Sequence, residues 1–139
     1  MTQQLLKIRG LKIEGKSDEV WSPIVNWIDL DLQKGEVLGL IGESGAGKST
    51  VGLAAMGFTR DGCRISGGTV DFDGVDLVAA SAAVKRNMLG KRIAYVAQSA
   101  AASFNPAHRL IDQHTEAPTQ HKIRANAESE LDGMELYRR

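Results

Sequence analysis

Only one cysteine, Cys63, stands in the 139 residues, so no internal disulfide can brace the fold. No apolar run approaches the roughly 18 residues that a membrane-spanning helix needs, and no basic-then-apolar leader precedes Leu5. An excess of charge is missing too, because Lys plus Arg and Asp plus Glu both number 17. Overall electrostatic attraction therefore gives no ground for nucleic acid or an acidic membrane surface as a partner. These absences predict a cytoplasmic chain without a nucleic-acid partner, whose binding rests on local groups. No partner constellation surrounds Cys63, which is expected to be an ordinary thiol rather than a nucleophile. With 42% hydrophobic residues the chain is the size of one domain around one core.

What is present is patterned. "LLKIRGLKIEG" from Leu5 and "IVNWIDLDLQKGE" from Ile24 alternate apolar with polar residues, as half-exposed strands do, which puts Trp27 on an apolar face. Between them "KSDEVWSP", with its charges and Pro23, predicts a turn or loop containing Trp21. "EVLGLI", residues 36 to 41, is too short for a helix and reads as a strand buried on both faces. After it, "STVGLAAMGF" has helical spacing at Val51, Leu53, Ala54 and Met56. "GGTVDFDGVDL" predicts a strand with Asp73-Gly74 in a tight turn, and the "SGG" at 66 to 68 a turn before it. "AASAAVKRNMLG" reads as a short helix closed by Gly90 and "RIAYVAQ" as a further strand. Beyond His121, Ile123, Ala127, Leu131 and Met134 recur at the spacing of a solvated amphipathic helix. His108, His114 and His121 have no metal-ligand cluster around them and are expected at the surface.

The stretch "GLIGESGAGKST", Gly39 to Thr50, carries the strongest chemistry. Gly42, Gly47, Lys48 and Ser49 satisfy G-x-x-x-x-G-K-[ST] between a predicted strand and a predicted helix. A loop whose amides point inward at a polyphosphate needs positive φ and close approach, which side chains would block; hence glycine at 42, 45 and 47. The helix start adds unsatisfied amides and the positive end of its dipole. The cradle is thus expected to comprise Gly42, Glu43, Ser44, Gly45, Ala46, Gly47, Lys48, Ser49 and Thr50. Lys48 would set its charge on the terminal phosphates of ATP, and the Ser49 hydroxyl would bind Mg²⁺.

"GEVLGLIGESGAGKST", then "IAYVAQ" and "SFNP", resembles the nucleotide-binding subunits of ABC transporters, most of all the peptide/nickel (dipeptide and oligopeptide) importer ATPases. The resemblance covers nearly the whole chain. It implies an α/β fold, a P-loop NTPase core of the ABC ATPase type. Only its N-terminal half would be present, with an antiparallel β subdomain and an end inside the helical subdomain. Residues 1–104 would then be the partial core and 105–139 the start of the helical subdomain. By the same resemblance Gln98 is the Q-loop glutamine, reaching Mg²⁺ and the attacking water, so that Lys48 and Gln98 form the catalytic pair present here. The implied partners are transmembrane subunits and a second ATPase subunit, with the chain held at the inner face of the membrane.

Two departures stand out. Where the family stacks an aromatic residue on adenine, this sequence has Gly15, leaving Trp21 as the available platform. The signature motif, the Walker B aspartate with its catalytic glutamate, and the switch histidine do not occur in these 139 residues. Two rival expectations follow: a non-catalytic nucleotide-binding remnant, and another soluble P-loop NTPase or kinase.

Overall fold

The computed structural model describes residues 3–45, 47–99 and 104–122. The helix expected beyond His121, Ala46 of the loop, and Ser103 of "SFNP" lie outside the described residues. The chain divides into two compact units, Met1–Lys85 and Arg86–Arg139.

The first unit is built on a long hairpin. Strand β1 (Gln4–Ser17) pairs antiparallel with β2 (Val20–Gln33) from Gln4↔Gln33 to Ser17↔Val20. The turn is only Asp18 and Glu19, both at positive φ (48° and 65°), the mirror-image geometry that matches strand twist. The loop expected over "KSDEVWSP" is thus a two-residue turn, and Trp21 and Pro23 belong to β2. Strand β3 (Cys63–Phe72) pairs with the other edge of β1, and the short β4 (Val75–Asp76) follows through Asp73-Gly74, at φ 50° and 84° as that tight turn requires. The sheet order is β2-β1-β3-β4.

One face of this sheet is the core. Leu6, Ile8, Leu11 and Ile13 of β1 are buried with Val25, Val70, Phe72 and Leu77. The spacing jumps from two to three between Ile8 and Leu11, because both ladders of β1 slip there and Gly10 takes φ 57°. A bulge of this kind absorbs one extra residue and returns the alternation to the same face. Opposite it Gly68 adopts φ 91°, and a Cβ there would lie 2.5 Å from the Gly10 carbonyl oxygen. The Ser66-Gly67-Gly68 stretch is therefore inside β3, where glycine allows a close backbone crossing, and not a turn before it.

Helix α1 (Lys48–Ala54) buries Val51 and Ala54. Gly57 at φ 76° ends this region, and a Cβ on it would meet the Leu77 carbonyl oxygen at 2.7 Å. Lys85 Nζ donates to the Gly57 carbonyl at 2.8 Å and lies 5.6 Å from the Phe58 ring. Helix α2 (Ala82–Met88) falls where the units divide.

Two expected strands do not form. Residues 36–41 form no strand and have no ladder partner among the described residues, Val37 and Ile41 being 95% and 97% exposed. In "RIAYVAQ" only a single parallel bridge, Leu89↔Ile93, is made among the described residues, and Val96 is 91% exposed. The physical reason is common to both. A buried strand needs hydrogen-bonding neighbours and cover on each face, and among the described residues no strand flanks either segment.

In the second unit, α3 (Leu110–His114) and α4 (Glu116–Gln120) follow one another through Thr115. Pro118 sits in the first turn of α4, where its missing N–H costs no helical bond. The Gln113 side chain ties this corner, accepting from the Asn105 amide at 2.7 Å and donating to the Asn105 carbonyl at 3.0 Å. His108 is exposed as expected, but His114 and His121 are half-buried, and a ring nitrogen of His121 is hydrogen-bonded to the Leu89 carbonyl. No helix among the described residues is long and apolar enough to cross a membrane.

Candidate phosphate-binding loop

Beyond segment 36–41 the backbone turns at Ser44-Gly45 and enters α1 through Gly47. Gly45 and Gly47 take φ 85° and 82°, left-handed conformations that cost a Cβ-bearing residue about 1–2 kcal/mol each. Gly47 is the cap residue of α1, with φ 82° and ψ 8° and no side-chain cap bond, and its carbonyl accepts from the Val51 amide at 2.9 Å. The first-turn amides of Lys48, Ser49 and Thr50 have no carbonyl a turn earlier to bond within the helix. Gly47 also packs closely, since a Cβ there would lie 3.2 Å from Val25 Cγ2. Gly45 faces open space. The two glycines thus serve different needs: both supply backbone handedness, and Gly47 in addition admits the chain against β2.

Lys48 turns back over the loop. Its Nζ donates to the carbonyl oxygens of Gly42 at 2.6 Å and Glu43 at 2.5 Å. An ammonium has three donors, so this bracing leaves one for a ligand. The Ser49 side chain is exposed beside it, while Thr50 is half-buried. A divalent cation held mainly by phosphate oxygens and waters asks one or two ligands of the protein, a demand the Ser49 hydroxyl can meet. Among the described residues no cluster of three His, Cys, Asp or Glu could hold a metal by itself.

Gln98 lies in the other unit and is exposed. Trp21 lies in the first unit, on β2. Ile13↔Val25 and Glu14↔Pro23 are successive pairs, so one residue of β2 is extra at Ile24. Past that bulge Trp21, opposite Lys16, shares the face of Glu14, whereas Val25 under Gly47 shares the buried face of Ile13. On its face the Trp21 ring is stacked by Arg64, whose guanidinium carbon is 4.1 Å from the ring centroid and whose Nη2 is 2.8 Å from Glu14 Oε2.

Trp27 departs from expectation. It takes φ 63° at the bulge and is 64% exposed, with Lys12 Nζ 5.3 Å from its ring and its indole on Gly10. The bulge that resets β1 turns Trp27 off the apolar face, and alternation in sequence carries no sign of that. It borders an open cavity of about 500 Å³ on the outer face, with Arg9, Lys12, Asp29 and Gly68. Sequence reasoning also missed the Glu14–Arg64–Trp21 stack, whose only signal is a cation and an aromatic that come together after the register is known.

Comparison with known proteins bears on all of this. The ABC transporter family profile matches residues 25–138. The peptide transport system ATP-binding protein SapD of Salmonella typhimurium is 35% identical over 106 residues, which are 76% of this chain and 32% of SapD. The dipeptide transport ATP-binding protein DppD of Haemophilus influenzae is 33% identical over 118 residues, 85% of this chain and 36% of DppD. The Escherichia coli DppD gives 32% over 118 residues. The chain spans about a third of the length of these relatives. With the phosphate-loop pattern in place and the profile covering most of its residues, the chain belongs to the ABC transporter family and is related to the ATP-binding proteins of peptide transport systems.

Proposed function

We propose that the loop from Gly42 to Thr50 binds the polyphosphate of ATP, and that the chain is the nucleotide-binding part of an ATPase that drives uptake of peptides or related solutes. The observation that carries this reading is the conformation of the loop. Left-handed glycines at 45 and 47 lead straight into a helix whose first residue, Lys48, reaches back over the same turn. In that arrangement Lys48 stays on the Gly42 and Glu43 carbonyls with two of its protons and gives the third to a phosphate oxygen. The first-turn amides receive further oxygens, and Ser49 would hold Mg²⁺; Gln98 is proposed as a Mg²⁺ residue on the family resemblance alone. Bound Mg²⁺ would supply charge neutralisation on the β and γ phosphates. The names of the relatives support a peptide transport system; transmembrane subunits and a second ATPase subunit are the partners this reading implies. Trp21, whose ring carries the Arg64 guanidinium 4.1 Å from its centroid, would serve the adenine base and not the phosphates.

The exposed, unpaired segment 36–41 favours a second reading, in which this chain binds nucleotide without turning it over. Equilibrium dialysis of labelled ATP with MgCl₂ tests the first claim. Tripolyphosphate is expected to displace ATP while adenosine does not, and displacement by adenosine alone would refute a phosphate cradle. Phosphate release at the background rate by a chain that binds ATP supports the second reading.

A further inference from the structure

Strand β2 meets the phosphate loop at its bulge. A carbon at the Cβ position of Gly47 would lie 3.2 Å from Val25 Cγ2, 3.7 Å from Ile24 Cγ2 and 3.7 Å from the Ile24 carbonyl oxygen. Successive residues of a regular strand point to opposite faces, so two neighbours converge on one point only where the pleat is broken. The extra residue between the pairs Ile13↔Val25 and Glu14↔Pro23 breaks it, beside a proline of the kind that sheets admit at edges and bulges. Both converging side chains are anchored. Val25 is 5% exposed, in the core of the sheet. Ile24 leans over β1, where a Cβ on Gly15 would lie 2.6 Å from its Cδ1, so glycine at 15 leaves it room.

Gly47 in turn caps α1, and its position sets those of the Lys48, Ser49 and Thr50 amides and of the Lys48 stem. Hydrogen bonds weaken steeply as their angles open, so a displaced cap misaligns all of these donors together. Lys48 holds the entry of the loop through the Gly42 and Glu43 carbonyls. The Ile24–Val25 bulge is the matching support at its exit.

We propose that Ile24 and Val25 are positioning residues of the phosphate site: their γ-methyl groups seat Gly47, and polyphosphate affinity depends on them although neither contacts a phosphate. This inference rests on the reading of Gly42–Thr50 as a phosphate cradle. It adds a requirement, located on another element of the first unit, that the spacing of the loop's own residues does not contain.

The test is calorimetric titration of tripolyphosphate, which has no base for the partly exposed Ile24 to touch, into the full chain and its variants. Val25→Ala and Ile24→Ala each take a methyl away from Gly47 and should weaken binding at least about threefold. Ile24→Val keeps a Cγ2 and should stay within about twofold of the wild type. So should Val70→Ala, which removes two methyls from the same core at the Ile8 pair. Circular dichroism and urea unfolding establish that each variant is folded at the titration temperature. Ile24 is 43% exposed, so Ile24→Ala costs little stability and decides the matter should Val25→Ala not fold. Full affinity in a folded alanine variant at 24 or 25, a loss in Ile24→Val as large as in Ile24→Ala, or an equal loss in Val70→Ala would overturn the positioning role and leave the cradle standing. A wild-type chain that does not bind tripolyphosphate would overturn the cradle and this inference with it.

Discussion

Lys48 braces the loop that precedes it, its ammonium 2.6 Å from the Gly42 carbonyl oxygen and 2.5 Å from that of Glu43. The loop therefore holds its curvature before any phosphate arrives, which lowers the ordering cost of binding.

The two left-handed glycines of that loop should respond unequally to alanine. Gly45→Ala adds handedness strain alone, about 1 kcal/mol, because nothing lies within 4 Å of the new methyl. Gly47→Ala adds a 3.2 Å approach to Val25 Cγ2 and is expected to cost roughly twice as much. Urea unfolding of the two variants should rank them in that order, and equal costs would contradict the packing of Gly47 on β2.

A sharper contrast is expected in β3. At Gly68 a Cβ would sit 2.5 Å from the Gly10 oxygen and 2.6 Å from the Arg9 oxygen, with φ already at 91°. Gly68→Ala should cost about 3 kcal/mol or more, since neither backbone can yield without breaking the bulge. Its neighbour Gly67 has no positive φ and faces only the Lys12 side chain, at 3.6 Å. Gly67→Ala should change stability by less than about 1 kcal/mol, and a loss as large as at residue 68 would contradict the register.

The sheet was largely legible in the sequence, and the unpaired segments were not. Alternation in β1 and β2 and the Asp73-Gly74 turn are local signals, written by pleat and turn chemistry within a few residues. The runs "EVLGLI" and "RIAYVAQ" are equally apolar, but an apolar run states a requirement for cover rather than its source. That cover must come from elsewhere, and among the described residues nothing provides it. Trp27 fails for a different reason: the slip shared by Gly10 and Gly68 decides which face a residue of β2 occupies, and it becomes visible only once three strands are paired. In the loop the spacing of Gly42, Gly47, Lys48 and Ser49 pointed to the turn and helix that form. The bracing by Lys48 depends on backbone curvature that spacing does not convey.

Arg64 and Trp21 should report on each other. Arg64→Ala removes the stacked guanidinium and the ion pair to Glu14, contacts on an exposed face that contribute about 1 kcal/mol or less to stability. In a Trp27→Phe background the remaining Trp21 emission should shift with this change. An unaltered spectrum would contradict the stack.

Acid should loosen the start of the hairpin. The hydrogen bonds from Arg9 to Asp31, with the attraction of its charge, hold the Asp31 carboxyl below the ordinary aspartate range. A carboxyl depressed in the folded state adds stability above its unfolded value and loses it as pH falls through the folded one. The pair is well exposed, at 40% and 45%, so salt screens it and the contribution is small. Asp31→Asn should flatten the fall in urea midpoint below the aspartate range, more clearly at low than at high salt; an identical acid profile would contradict this role.

The central claim is that the turn closed by Lys48 grips phosphate, and calorimetric titration of tripolyphosphate and of MgATP into the wild-type chain and Lys48→Ala tests it most directly. Binding of both ligands to the wild type, weakened at least about tenfold for both in the variant, is the predicted result, equal to about 1.4 kcal/mol. Equal affinities for the two proteins would contradict the account.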